Sequence, residues 1–115
     1  MPLETPSISP SGRWHIEVNA WEARNSLWVE SPLIRDSQTG AVVLRFADAN
    51  WSLDASAWLS DDVVRLALRK YPGNHDPGAV EVTVDCGNAI AALPSGRAVL
   101  LSGLEALLEQ QLRWT

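Results

Sequence analysis

Residues 13–28, "RWHIEVNAWEARNSLW", place Trp14, Trp21 and Trp28 seven apart, and Trp51 and Trp58 repeat the interval. Seven is the repeat of a coiled-coil helix. A helix with these tryptophans at one seam position brings Glu17/Val18 and Arg24/Asn25 to the other, so three of those four residues are polar and no apolar stripe forms. "SPSG" upstream and Pro32 downstream signal turns or extended chain. A period of two fits better, because Trp14, Ile16, Val18 and Ala20 alternate with His15, Glu17 and Asn19. Positions seven apart in one unbroken strand face opposite sides. The stretch therefore predicts two strands with a turn near "EARNS" (22–26), Trp28 belonging to the second.

The same grammar continues outward. "SLWVESPLIR" reads as a strand that Pro32 interrupts at an edge or bulge. "DSQTG" is a hairpin loop with Gly40 at positive φ, and "AVVLRF" is the next strand. "WSLDASAW" follows, with Leu53, Ala55 and Ala57 on one side. "VVRLALRKY" and "AVEVTVDC" flank "PGNHDPG". Symmetry about His75 sets Arg69 opposite Glu81, Arg65 opposite Asp85, Leu68 opposite Val82, Leu66 opposite Val84 and Val64 opposite Cys86, matching charge with charge and apolar with apolar. Near the end, Ser102 and Glu105 are spaced as a capping box, and Leu101, Leu104, Leu107, Leu108 and Leu112 form a helical stripe. The expected fold is mainly β (α+β): an antiparallel meander sheet of five to six strands with a C-terminal amphipathic helix packed on one face.

Its 115 residues suit one domain, with an extended segment over 1–12, the meander over 13–92 and the helix over 100–114. A chain of this length buries roughly two thirds of its unfolded surface, enough for a core without disulfides or metal. A formal charge of −5 with no basic block argues against nucleic acid and favours a basic protein surface as partner. No apolar run approaches a membrane span, and "MPLETPSISPSGR" lacks the apolar segment of a signal peptide. The lone Cys86 fits a reducing compartment, so a cytoplasmic location is expected.

"SPSGRW" before a strand, then "DSQTG" before another, resembles the repeat pattern of TolB-type and WD-repeat propeller blades. Ser9, Pro10, Gly12 and Arg13 match the first element, with Ser11 in place of the usual aspartate; Asp36, Thr39 and Gly40 match the second. The likeness covers roughly residues 9–70 and implies β-meander geometry, while the length leaves no room for a closed propeller. The chain as a whole is also similar to small single-domain bacterial proteins, among which toxin-immunity and inhibitor proteins are common.

Chemistry is sparse. His15 falls on a polar strand face and His75 in a loop beside Asp76, with no Gly-x-Ser-x-Gly element to supply a nucleophile. One cysteine and two distant histidines lack zinc-ligand spacing, and no phosphate-binding glycine motif occurs. Cys86 reads as an inert core thiol. No catalytic residue, metal or cofactor is expected. Six tryptophans beside one Phe and one Tyr are the informative excess, since indoles both fill cores and anchor interfaces. The expectation is a non-enzymatic protein-binding module, most concretely an immunity- or inhibitor-type protein acting on a basic toxin or enzyme. Its contact residues would be Trp21, Trp28, Glu22, Glu30, Asp61 and Asp62. The alternative is a carbohydrate or small-molecule binding module that uses surface Trp. Oligomeric state is open.

Overall fold

A computed structural model describes residues 3–22, 28–70 and 79–113. Among them the chain builds the expected mainly β meander with a C-terminal helix, divided between two antiparallel sheets. The first carries β1 (Leu3–Ile8), β2 (Trp14–Glu22), β3 (Trp28–Asp36) and β4 (Val42–Arg45) in chain order. The second carries β5 (Trp51–Trp58), β6 (Val63–Lys70), β7 (Ala79–Asp85), β8 (Ile90–Ala92) and β9 (Ala98–Leu100), also in order. A 3-10 turn at Leu101–Gly103 leads into α1 (Leu104–Arg113). The expected five or six strands are thus nine, in two sheets rather than one.

One core joins all of this. Trp14, Ile16 and Val18 from β2, Leu66 and Leu68 from β6, Val82 and Val84 from β7, and Leu104 and Leu108 from α1 belong to a single buried cluster. The helical stripe lies against both sheets, as amphipathicity requires. Leu112 lies outside the described side chains. Glu105 does not form the expected capping box with Ser102. Its carboxylate accepts instead from the backbone N–H groups of Ala47 (2.7 Å) and Asp48 (3.0 Å), fastening the helix to the link between β4 and β5.

The heptad interval is resolved by strand geometry. β2 pairs with β3 without a break from Trp14↔Asp36 to Glu22↔Trp28, so Trp14 is buried and Trp21 turns to the other face, as alternation predicts. The turn expected over 22–26 falls largely outside the described residues. In β5 the outcome differs. A bulge between Leu53 and Ala55 inserts one residue against β6, and an inserted residue reverses the facing of everything after it. Trp51 and Trp58, an odd number apart, therefore both turn inward, and Trp58 packs against the core. Ala55 and Ala57 do not share a face with Leu53, as a straight strand would have required; both are exposed.

Pro32 likewise behaves differently from expectation. β3 runs through it without interruption, and Pro32 is buried opposite Val18. What stops there is the ladder to β4, whose last pair is Leu33↔Arg45. Proline has no N–H to continue a ladder on that side. Beyond it β3 lies beside β5 instead, with the Glu30 N–H donating to Ser52 Oγ at 3.0 Å.

The β6–β7 hairpin forms, in a register two residues from the one expected. Leu66 faces Val82, Val64 faces Val84 and Val63 faces Asp85, so the symmetry point moves from His75 to residue 74. A two-residue slip preserves which face each side chain occupies, and the apolar residues remain inside. The charge ladder is lost: Arg65 faces Thr83 and Ala67 faces Glu81. Arg69, expected against Glu81, reaches Asp54 on β5 at 3.0 Å. Cysteines at Val63 and Asp85, in a Cys86→Ala background, should therefore oxidise readily to a disulfide. The pair Arg65→Cys with Asp85→Cys, which the His75-centred register would favour, should remain reduced under the same conditions; non-reducing mass spectrometry of tryptic peptides reads the difference.

Candidate functional site

The structure brings three of the six expected contact residues together and separates the other three from them. Glu22 and Trp28 are cross-strand partners at one end of the β2–β3 ladder, and Glu30 pairs with Ala20 next along. All three side chains share the facing of Trp14, Ile16 and Val18 but lie past the end of the core. Trp28 is 49% exposed, with exposed glutamates beside it at both positions. Neither Glu22 nor Glu30 is in an ion pair among the described residues. Trp21 is on the opposite face, half-buried across from the buried Val29, and its Nε1–H donates to the Ala49 carbonyl at 3.1 Å.

Asp61 and Asp62 are at the other end of β2. Eight residue steps separate Trp14 from Glu22, about 26 Å at the usual strand rise. The carboxylate of Asp61 accepts from both the N–H and the Oγ of Ser11, each at 2.6 Å. Asp62 accepts from Trp14 Nε1 at 2.8 Å. These two aspartates therefore clasp the β5–β6 turn to the turn between β1 and β2. That second turn is tight because Gly12 takes φ +81° and donates to the Ser9 carbonyl at 2.9 Å. Trp58 Nε1 adds a neighbouring tie, donating to Ser7 Oγ at 2.7 Å. The Ser11 donors hold the Asp61 carboxyl below its ordinary value, the side-chain bond contributing most.

A third cluster, on the solvent side of β2 and β3, was not anticipated. Register places His15 opposite Arg35. His15 Nε2 meets Glu17 Oε2 at 2.6 Å, and Nδ1 meets Ser37 Oγ at 2.6 Å. Arg35 grips both oxygens of Glu17 at 2.9 and 3.3 Å and donates to the Gly40 carbonyl at 2.8 Å. Ionised Glu17 can only accept, so Nε2 carries a proton and, in the neutral ring, Nδ1 accepts from the Ser37 hydroxyl. Arg35 first, then His15, holds the Glu17 carboxyl below its ordinary value. Alternation had put His15 and Glu17 on one polar face; the pairing of β2 with β3 supplied the other two members.

Serine, imidazole and carboxylate in sequence is the order of an acyl-transfer triad. Two features set this cluster apart. The charge of Glu17 is already taken up by Arg35. The backbone N–H groups of Ser37, Gln38, Thr39, Gly40 and Ala41 also donate to protein acceptors, namely Arg13 O, Asp36 Oδ1 twice, Asp36 O and Thr39 Oγ1. An oxyanion needs donors aimed at a reacting centre, and these are directed elsewhere. The cluster acts as a cross-strand brace.

Elsewhere, Cys86 is buried, and its thiol is pushed up to about 12 by burial and then by the nearby carboxylates of Asp85 and Asp62. Such a thiol stays protonated and unreactive at neutral pH. His75 lies outside the described residues. No group of three or more metal-ligating side chains occurs among the described residues, and no helix there is long and apolar enough to cross a membrane. No protein-family model, curated protein or solved structure matches the chain.

A carboxyl whose folded value is depressed adds stability above its unfolded value and loses it as pH falls through the folded one. Asp61 is of this kind. Its contribution should be intact at pH 6 and drain away as pH drops below about 4, near the ordinary aspartate value. Asp61→Asn should lower the melting temperature at pH 6 and flatten its dependence on pH between roughly 5 and 3. Thermal melts across that range, followed by tryptophan fluorescence, provide the check.

Proposed function

We propose that this chain is a non-catalytic protein-binding module whose contact surface is the Glu22/Trp28 end of the β2–β3 ladder. The most concrete form is an immunity- or inhibitor-type protein that neutralises a basic toxin or enzyme, an encounter we place in the cytoplasm. The observation that carries this reading is Trp28, half exposed between Glu22 and Glu30 at the end of the β2–β3 ladder. An indole held on a strand offers large contact area with few rotatable bonds, which is why tryptophan dominates interface hot spots. Glutamates in no ion pair among the described residues can meet basic side chains of a partner, and they steer its approach. The formal charge of −5 adds a long-range attraction of the same sign.

The two kinds of residue should separate kinetically. Trp28→Ala should weaken a captured partner by about 2 kcal/mol or more, roughly thirtyfold, mostly through faster dissociation. The double variant Glu22→Lys/Glu30→Lys should slow association, with the largest effect at low salt. Both variants should retain the wild-type circular dichroism, since none of these side chains enters the core. Surface plasmon resonance at two salt concentrations reads both effects, and affinity indifferent to charge reversal at low salt would remove the proposal. Titration of intrinsic fluorescence with oligosaccharides should be flat; a saturable response would favour sugar stacking on Trp28 instead.

A further inference from the structure

β9 ends the second sheet, and its far side has no strand neighbour among the described residues. The opposite edge of that sheet, β5, is not equivalent, because it lies beside β3. Hydrogen bonds establish which backbone groups of β9 point outward. Leu93 N–H donates to the Arg97 carbonyl at 2.8 Å and Leu101 N–H to the Ala89 carbonyl at 3.0 Å. With Ala91 paired to Val99 between them, residues 97, 99 and 101 turn their groups toward β8. By the alternation of antiparallel ladders, Ala98 and Leu100 turn theirs away. Leu100 also precedes the 3-10 turn, so its carbonyl starts that turn. The N–H and C=O of Ala98 and the N–H of Leu100 remain on the open side.

Beside this edge is a groove of about 550 Å3 between β9 and α1, lined by Arg97, Val99, Gly103, Ala106, Leu107 and Gln110. Val99 and Leu107 make its apolar wall. Arg97 is exposed and in no ion pair among the described residues. Glu109, on the rim, is not its partner: that carboxylate is held by Lys70. Among the described residues, Arg97 is therefore the uncompensated charge of the groove. On the outer face, Ile90 and Leu100 are cross-strand neighbours, 39% and 64% exposed.

We propose that this edge and groove bind an extended segment of another protein as an added antiparallel strand. The residue opposite Ala98 exchanges two hydrogen bonds and the residue opposite Leu100 accepts a third, which uses every outward group. Arg97 and Val99 are two apart on one face, so the residues opposite them are also two apart and both enter the groove. An apolar side chain meets Val99 and Leu107, and an acidic one, two positions further toward the C-terminus, meets Arg97. The recognised pattern is apolar–any–acidic. A second copy of β9, paired symmetrically about Val99, fits less well. It would set Leu101 against Arg97, leaving the cation unmatched, and would offer a Leu100 carbonyl already in use. This surface is separate from the Trp28 ladder end and does not rest on the function proposed for it.

The probe is a fluorescent peptide, acetyl-Thr-Ser-Thr-Val-Thr-Glu-Thr-Ser-amide, titrated with the intact protein by anisotropy. Saturable binding is expected. Leu100→Pro removes only an outward N–H, and the φ of −65° at this position suits proline. Gly103→Leu fills the groove, since a Cβ there has nothing within 4 Å. Each variant should weaken binding about tenfold or more, the loss of roughly one hydrogen bond or apolar contact. Arg97→Glu should weaken the Glu peptide and strengthen one with Lys in its place, a swap that a purely structural role would not produce. Trp28→Ala should leave peptide binding unchanged. The proposal is overturned if the peptide does not bind up to about 1 mM. It is equally overturned if binding ignores both Gly103→Leu and the charge swap, or if sedimentation shows a dimer of the 12.6 kDa chain that Leu100→Pro dissolves.

Discussion

The burial of Trp51 where the first sheet passes into the second is the contact on which the remaining architecture leans. The ring is fully enclosed, with Phe46 5.7 Å away on one side and Lys70 Nζ 5.5 Å from its centroid on another. Its Nε1–H has no hydrogen-bond partner among the described residues. Leaving that donor unmet costs about 1–3 kcal/mol. Removing some 200 Å2 of indole from water at about 25 cal/mol per Å2 contributes about 5 kcal/mol. Burial prevails. The site tolerates the orphan donor because Trp51 begins β5, the strand that lies beside β3 and starts the second sheet.

Charges secure this junction from outside. Lys70 pairs with Asp48 at 3.1 Å and with Glu109 of α1. Burial works against the charge on Lys70, but Glu109 and Asp48 more than offset it and hold the ammonium above its ordinary value. Glu105, from the first turn of the helix, binds the two amides just before Trp51. Sheet seam, helix and the end of β6 are thereby tied at one place. The apolar stripe of α1 provides its affinity for the core, and these carboxylates choose its position.

The acidic residues show how far environment rather than identity assigns a role. Asp61 and Asp62 sit next to Ser11 and Trp14, whose N–H and O–H groups they satisfy, and they become part of the scaffold. Glu22 and Glu30 are in no ion pair among the described residues, and the ladder between them presents an indole to solvent. Four carboxylates of similar character in the sequence therefore separate into a structural clasp and a candidate contact surface some 26 Å apart. The Ser37–His15–Glu17–Arg35 chain makes the same point from the other direction. It has the residue types of a catalytic centre, and its hydrogen bonds are all consumed in bracing two strands.

Periodicity alone settled which residues face inward along β2, β6 and β7, that Trp14–Glu22 is a strand and not a helix, and that Leu104, Leu107 and Leu108 of α1 form a buried stripe. Such features are local: alternation and helical spacing are properties of consecutive residues, whatever they pack against. Periodicity could not settle the pairing register of β6 with β7, since a slip of two residues keeps every side chain on its own face and changes only which residues stand opposite one another. Nor could it reveal that Asp54 would bulge to turn both Trp51 and Trp58 inward, or that Pro32 would end one ladder and let β3 pass to another neighbour. Those outcomes, the division into two sheets and the gathering of His15, Glu17, Arg35 and Ser37 were decided by the need to close one shared core. Core closure depends on shape and volume between segments far apart in the chain, which no local period encodes.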